Sequence, residues 1–250
     1  MDSDALQAVG RAIEMMRENF GEELTVDDLA QVAMFSKFHF SRVFRQAIGI
    51  SPGRFLSAVR LQEAKRLLRR TSLTIADISN QVGYTSVGTF STRFKGSVGI
   101  APSQYRQSGG DMSLLYGAGD RTISPPRPTI VHGEVLCASP ERVGRVFVGL
   151  FPNWILEGPP IQYTLLSRPG PYMLQDVPQG TWYLLVHRLS GGEFSQGQTP
   201  TVGTCGPINI RRDIVTRKVN VEIRPASEFD PPVLLAALDI PALELNARAG

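Results

Sequence analysis

Residues 90–105, FSTRFKGSVGIAPSQY, repeat the pattern of residues 40–55, FSRVFRQAIGISPGRF, at an offset of 50. The duplication reaches further back, because LTVDDLAQVAMFS from Leu24 matches LTIADISNQVGYT from Leu73 at an offset of 49. One residue is therefore gained before Phe40 aligns with Phe90. The same local structure is expected twice. Each copy reads as a capped short helix, a tight turn (Met34 and Phe35, or Gly83 and Tyr84), and a second helix opening at Ser36 and Lys37 or at Ser86. In each, the phenylalanines pack the second helix and a Gly followed by a Pro ends it.

Two short helices joined by a turn of three to four residues form a helix-turn-helix, whose second member can lie in a major groove. One such pattern is weak evidence; two inside a basic segment are much stronger. Residues 1–34 carry two basic side chains (Arg11, Arg17) against eight acidic ones, whereas residues 35–106 carry twelve basic against Glu63 and Asp77. A concentrated positive segment suits a polyanion such as nucleic acid. A solvated helix face is the alternative that a charge run alone allows.

Proline and glycine divide the chain. Of 18 prolines only Pro52 and Pro102 precede residue 112, so the front is free to be helical and the back is cut into short segments. Leu6, Val9, Ile13, Met16 and Phe20 form one apolar seam on a first helix that Gly21 stops. Thr25 then caps a short helix carrying Asp27 and Asp28 in its first turn, where the helix dipole favours them. Between the two repeats, PGRFLSAVRLQEAKRLLRR (residues 52–70) opens with Pro at a first helical position. Leu56, Val59, Leu61, Ala64, Leu67 and Leu68 share one arc of its helical wheel, with Arg54, Lys65, Arg66 and Arg69 opposite. Such a helix is about 28 Å long, close to the ~34 Å between successive major grooves on one face of DNA. If the connector falls short of that spacing, the duplex must bend to receive both units.

Over about Leu6 to Arg106 these residues resemble the AraC/XylS transcriptional regulators. The second copy is the most specific part: Ile75, Ala76, Ile78, Gly83, Tyr84, Phe90, Phe94, Lys95, Gly99, Pro102, Tyr105 and Arg106. The resemblance implies a seven-helix module with two helix-turn-helix units joined by a long helix. It also implies an asymmetric double-stranded DNA site bound by one chain, and contact with RNA polymerase when such a protein activates. The family's base-reading positions fall on Lys37, Phe38, Ser41, Arg42 and Arg45, on the helix that opens at Ser36. Arg42 can reach guanine O6 and N7 together, worth about 1–3 kcal/mol of discrimination. For Lys37 and Arg45, base readout and phosphate contact both stand. His39 is expected to touch phosphate or to lie exposed, since no partner at helical spacing completes a metal site. The second recognition helix departs from the family pattern with Val87, Gly88 and Thr92, and Arg93 is displaced by one position. It is expected either to read thymine methyls through Val87 or to grip phosphate through Ser86, Thr89, Ser91 and Lys95. The first half-site should then hold most of the specificity.

From Thr129 the period changes to two. KVNVEIR (218–224) alternates fully, and further strands are expected at 130–137, 145–151, 162–167, 172–175, 181–189, 207–211 and 233–238. Short strands with frequent turns argue for an antiparallel β-sandwich. Gly133, Val135, Val146, Val148, Tyr172, Val177, Pro178, Gly180 and Tyr183 resemble transthyretin-like, carboxypeptidase-regulatory-type sandwich domains. The expected class is thus multidomain α plus β: an all-α double helix-turn-helix domain at 1–106, a linker at 107–128 and a β-sandwich at 129–250.

That second domain has three open roles: sensing a small-molecule effector, making a homodimer or holding another protein, or serving as an appendage. Trp154, Tyr163, Trp182 and Tyr183 are its candidate ligand contacts, although aromatics in sandwiches usually belong to the core. Its place after the helical module, the reverse of many family members, makes transfer of a known effector unsafe. No nucleophile elbow, zinc-protease or phosphate-loop motif accompanies His132 and His187, so neither catalytic residues nor a cofactor is expected. Cys137 and Cys205 are too few for a disulfide framework or a zinc site and are expected to be reduced core residues. With 42% hydrophobic and 20% charged residues, no apolar run of membrane-spanning length and no signal-like start, the chain is expected in the cytoplasm. A sugar- or peptide-binding module localised by its front domain is the rival to a DNA-binding regulator.

Overall fold

The computed structural model describes residues 3–108, 129–138, 143–155, 157–189, 200–211 and 214–235. They form two compact units, one built on residues up to Ser108 together with Ser227–Leu234, the other on the β-rich remainder. Most of the expected 107–128 linker and the end of the 233–238 strand lie outside the described residues.

The first unit contains α1 (Ser3–Glu18), α2 (Val26–Val32), α3 (Lys37–Ile48), α4 (Pro52–Arg70), α5 (Ile75–Gln81), α6 (Val87–Val98) and α7 (Pro102–Ser108). The helix ends follow from side-chain chemistry. Thr25 N–H and Oγ1 donate to Asp28 Oδ2 at 2.8 and 2.6 Å, while Asp28 N–H donates back to Thr25 Oγ1. Thr74 and Asp77 repeat this reciprocal cap on α5. Those bonds hold the Asp28 carboxyl below the usual range. Gly49 (φ 85°) and Gly99 (φ 102°) close α3 and α6 in the left-handed conformation, donating to Arg45 O and Lys95 O.

The phenylalanines of the repeat form two parallel sets of ring contacts. Phe40 meets Phe44 at 5.5 Å and Phe44 meets Phe55 of α4 at 5.7 Å; Phe90 meets Phe94, and Phe94 meets Tyr105 of α7, both at 5.6 Å. All six rings are fully buried. Each recognition helix is therefore bolted to the helix that follows it by one ring pair, Phe44 on Phe55 or Phe94 on Tyr105.

The wheel expectation for α4 fails at Lys65, which is only 3% exposed. This helix is covered on nearly all sides, with Phe55 and Ala58 buried along with the predicted arc. The returning segment Ser227–Leu234 lies against this unit. Its Val233 O accepts from Lys65 Nζ at 3.3 Å, and the ammonium sits 6.0 Å from the Tyr105 ring centre. A carbonyl and an aromatic face thus replace the water that an exposed lysine would keep. Arg17 holds the same segment by donating to Glu228 O at 2.9 Å.

The second unit contains β1 (Thr129–Leu136), β2 (Val146–Phe151), β3 (Gln162–Leu166), β4 (Pro171–Val177), β5 (Gly180–Arg188), β6 (Thr201–Ile210), β7 (Thr216–Lys218), β8 (Val221–Glu222) and β9 (Arg224–Pro225). One sheet runs β3-β2-β5-β6-β9 and is antiparallel throughout. In the other, β4 pairs antiparallel with β1, but β7 and β8 run parallel to it. Both sheets feed one apolar cluster, with Val131, Val135, Tyr172 and Leu174 from the first strand pair and Val146, Val148, Leu184, Val186 and Ile208 from the longer sheet.

Two strand expectations need correction. KVNVEIR is not one strand but parts of β7, β8 and β9, and Val233–Leu235 are not in a strand. The break in KVNVEIR has a local cause. Val219 N–H donates to His132 O, and Val219 O lies 1.8 Å from where a Cβ on Gly133 would stand. The chain passes so close to β1 there that the ladder is interrupted. Tyr172 fixes the crossing by donating its hydroxyl to Val219 O at 2.6 Å; burial pushes that phenol far above its ordinary proton affinity.

Candidate nucleic-acid interface

In each copy the capped helix (α2 or α5) and the turn after it present the next helix (α3 or α6) with one face buried and one free. Phe40, Val43, Phe44 and Ile48 face inward from α3; Phe90, Phe94 and Val98 do so from α6. Ser36, Lys37, Phe38, Arg42 and Arg45 are exposed, with His39 and Ser41 half-buried beside them. On α6, Ser86, Val87, Thr89, Thr92, Arg93 and Lys95 are exposed and Ser91 is half-buried. All fourteen residues selected for DNA contact therefore lie on the two recognition helices or their caps, with no more than partial burial.

The free face of α3 is already organised. Phe38, at 87% exposure, is a large apolar side chain with no covering, one turn from Met34 at 83%. Arg42 Nη2 donates to His39 Nδ1 at 3.1 Å, and the His39 and Phe35 rings meet nearly perpendicular with centres 4.6 Å apart. The imidazole is thus fixed by the turn residue and in turn fixes the guanidinium, an arrangement neither predicted phosphate contact nor simple exposure had given to His39. A guanidinium only donates, so Nδ1 is the acceptor of this bond. Lys37 differs. Its ammonium pairs with Asp27 Oδ2 at 2.7 Å, both groups more than half exposed, so its charge is partly answered within the protein.

On α6 the corresponding positions are Val87 for Lys37, Gly88 for Phe38, Thr89 for His39 and Thr92 for Arg42. Ser86 Oγ accepts from Thr89 N–H at 3.4 Å and so serves as a helix cap. Arg93 stands where Val43 stands in the first copy, yet Val43 is buried and Arg93 exposed. The reason is packing: α3 lies against α1, α2 and α4, whereas α6 packs chiefly on α5 and α7. Arg93 and Lys95 are the exposed cations of this face.

One contributor escaped the sequence reading altogether. Arg60, in the middle of α4, donates through Nε to Phe20 O at 2.8 Å and through Nη2 to Glu22 O at 2.7 Å, and lies 5.9 Å from the centre of the Tyr84 ring. It was hidden within a basic run, where nothing in spacing separates a joint from a solvated charge.

The four aromatic candidates of the second unit do not gather at one point. Trp182 packs on the inter-sheet cluster and donates its indole N–H to Pro178 O at 2.8 Å. Tyr163 and Tyr183 point to the other face of the five-stranded sheet, where Tyr163 stacks on Phe147 at 5.7 Å and Tyr183 meets Trp154 edge-on at 5.4 Å. Burial pushes the Tyr163 phenol up. Among the described residues no cluster of three or more His, Cys, Asp or Glu side chains is placed to hold a metal, and no helix is long and apolar enough to cross a membrane.

Two capped helix-turn-helix units on one connector, each with a free recognition face, define a double helix-turn-helix DNA-binding module. Known proteins agree. A family model described as a helix-turn-helix domain matches residues 29–108. An uncharacterized HTH-type transcriptional regulator of Haemophilus influenzae is 45% identical over 83 residues, 33% of this chain and 28% of that protein. The HTH-type transcriptional activator AarP of Providencia stuartii is 38% identical over 90 residues, 36% of this chain and 67% of that protein. The lactose operon transcription activator of Staphylococcus xylosus is 34% identical over 98 residues, 39% and 35% of the two chains. The matches thus span roughly a third of this chain and as little as 28% of a relative. The chain belongs to the AraC/XylS-type helix-turn-helix regulators of transcription, and the helical unit is its DNA-binding domain.

Proposed function

We propose that this chain regulates transcription by binding an asymmetric duplex site with α3 and α6 in consecutive major grooves, α3 supplying most of the base discrimination. The observation that carries this reading is the contrast between the two free faces. On α3, Arg42 is held at 3.1 Å by His39 beside an uncovered Phe38 and near Arg45. A preset guanidinium loses less freedom on meeting guanine O6 and N7, and an apolar ring suits a thymine methyl. On α6 the hydroxyls of Ser86, Thr89 and Thr92, with Arg93 and Lys95, suit phosphate positioning, and Val87 offers only a small apolar contact such as a thymine methyl takes. RNA polymerase is the second partner in this reading.

For residues 129–226 the reading is a β-sandwich of transthyretin-like kind, supported by the cluster that both sheets share. The unit would serve as an effector or interaction domain, with a small molecule or a second copy of the chain as its partner. Tyr163, Tyr183 and Trp154, which share one side of the five-stranded sheet, are better placed for such contacts than Trp182, which serves the core.

The test is selection of duplexes from a random pool by the full chain, followed by titration of the selected site and its point variants at several salt concentrations. Specific binding about 10³-fold or more tighter than to unrelated duplex is expected, with log K falling by about 0.9 per phosphate neutralised for each unit of log salt. Substitutions in the first half-site should cost more than those in the second. A pool that yields no duplex above nonspecific affinity overturns the reading; a second half-site that tolerates fewer changes overturns the division of labour.

A further inference from the structure

The two recognition helices can enter consecutive grooves together only if their separation and angle are held, and a single helix–helix connection is a poor guarantee of either. α4 provides the length, but each helix-turn-helix is attached to it through its own packing. At one place the supports of both units meet. Gly83 and Tyr84 form the turn of the second unit; Phe20 and Glu22 lie just after α1, which packs on α2 and α3 of the first. Arg60 of α4 stands between them. Its planar fork donates to Phe20 O at 2.8 Å and Glu22 O at 2.7 Å, while its guanidinium carbon lies 5.9 Å from the Tyr84 ring centre. Tyr84 Oη also meets Ser57 Oγ, one turn earlier on α4, at 3.2 Å.

The fit is close enough to dictate residue type. At Gly83 (φ 80°) a Cβ would stand 2.8 Å from Phe20 O and 2.9 Å from Arg60 Nη2, so only glycine lets the turn reach the joint. Gly21 shows the same closeness from the other side, since a Cβ there would lie 2.7 Å from Gln81 O at the end of α5. Two charge-assisted bonds from one rigid fork fix direction as well as distance, which a lysine's single mobile ammonium does not.

We propose that Arg60 is a positioning residue that locks the second helix-turn-helix to the first and thereby sets the half-site spacing that the protein accepts. This rests on the reading that both units bind one duplex. Arg60 touches no base; it acts by keeping α6 at a fixed offset from α3. Adding or removing one base pair moves the second half-site by about 3.4 Å and turns it about the duplex axis, so a locked pair should tolerate little change and a loosened pair much more.

The experiment uses the full chain with a duplex selected by the wild type, four versions of it with the half-sites one or two base pairs closer or further apart, and a duplex holding the first half-site alone. The wild type should prefer one spacing sharply. Arg60→Met and Arg60→Lys should bind that duplex about tenfold more weakly, because the second contact loses effective concentration, and should show a flattened profile across the five spacings. Their affinity for the lone first half-site should match the wild type. A variant that keeps the wild-type spacing profile overturns the proposal, as does an equal loss on the lone half-site, which would mark Arg60 as merely structural. Circular-dichroism melting establishes that each variant is folded; if Arg60→Met is not, Arg60→Lys alone decides by the same two readouts. Failure of the wild type itself to bind any duplex selectively would instead refute the function on which this rests.

Discussion

Thr25 and Asp28 cap α2 as Thr74 and Asp77 cap α5, and Phe40, Phe44 and Phe55 have the same contacts as Phe90, Phe94 and Tyr105. The outward positions of the same two units scarcely agree: Lys37, Phe38, His39 and Arg42 in one, Val87, Gly88, Thr89 and Thr92 in the other. Interior positions answer to packing, which is the same problem in both copies except where α1 covers Val43 and, among the described residues, nothing equivalent covers Arg93. Exterior positions answer to whatever each helix meets, and in the proposed reading the first discriminates while the second holds. The turns differ too. Both place a residue in the left-handed region, but Gly83 (φ 80°) is wedged against Phe20 O and Arg60, whereas Met34 (φ 59°) stands 83% exposed.

The turn comparison yields the largest expected effect. Gly83→Ala must bring a Cβ within 2.8 Å of a backbone oxygen and hold it at positive φ. The left-handed conformation costs about 1–2 kcal/mol and displacement of packed neighbours about 1–3 kcal/mol more. Chemical denaturation of the full chain should show the helical unit losing stability by an amount in the combined range. A loss below about 1 kcal/mol would mean that the turn yields easily, and that the joint around Arg60 is softer than its distances suggest.

Next in size is the asymmetry of the recognition faces. Arg42→Ala should cost about 1–3 kcal/mol of discrimination at one base pair of the first half-site, while Thr92→Ala should cost under about 1 kcal/mol and spread it evenly over sequences. His39→Ala should fall between them, lowering discrimination at the Arg42 base pair without changing nonspecific affinity. His39→Gln, whose side-chain oxygen can accept from the guanidinium, should restore part of it. Binding titrations on point-substituted duplexes separate these outcomes. Equal losses from Arg42→Ala and Thr92→Ala would erase the division of labour.

The scaffold of the helical unit was legible because it obeys local rules stated twice. Thr25 and Thr74, Gly49 and Gly99, Pro52 and Pro102 mark the helix boundaries in sequence, and the structure puts the helices between them. The recognition face followed from the same register, since Phe40 and Phe44 inward place Phe38 and Arg42 outward. What escaped were facts set by distant chain segments. Lys65 lies on the polar arc of its own helix and is buried by Val233, 168 residues away. Arg60 gains its meaning from Phe20 and Glu22, and KVNVEIR alternates like a strand yet is interrupted where Val219 presses on Gly133. In the β unit, alternation located most strands to within a few residues, but it missed the Thr201–Gly206 start of β6 and said nothing of which neighbours run parallel.

A smaller effect tests how far the interiors of the two copies are equivalent. Ser79 stands where the first copy has Ala30, and both are buried. Among the described residues Ser79 Oγ has no hydrogen-bond partner, so the second copy carries a desolvated hydroxyl that the first avoids. Ser79→Ala should stabilise the helical unit by about 1 kcal/mol and raise its melting temperature by about 4 °C. Ala30→Ser should lose a similar amount. If Ser79→Ala destabilises, the hydroxyl has a bond within the folded unit, and the two positions are not alike.

The smallest effect is at the other turn, where the same backbone conformation meets open solvent. Met34→Gly removes the steric cost of a Cβ at φ 59°, about 1 kcal/mol, but returns part of it through the greater freedom of glycine in the unfolded chain. The net gain should therefore lie between zero and about 1 kcal/mol. Met34→Val at the same place should destabilise by about 1 kcal/mol or more, since a β-branched residue suits that region least. Measured beside Gly83→Ala, the pair separates two costs that the second turn combines. Met34 variants report backbone strain alone; the excess at Gly83 reports the contact with Phe20 and Arg60. If both turns respond equally, closeness at the joint contributes nothing, and strain alone explains why one copy uses glycine.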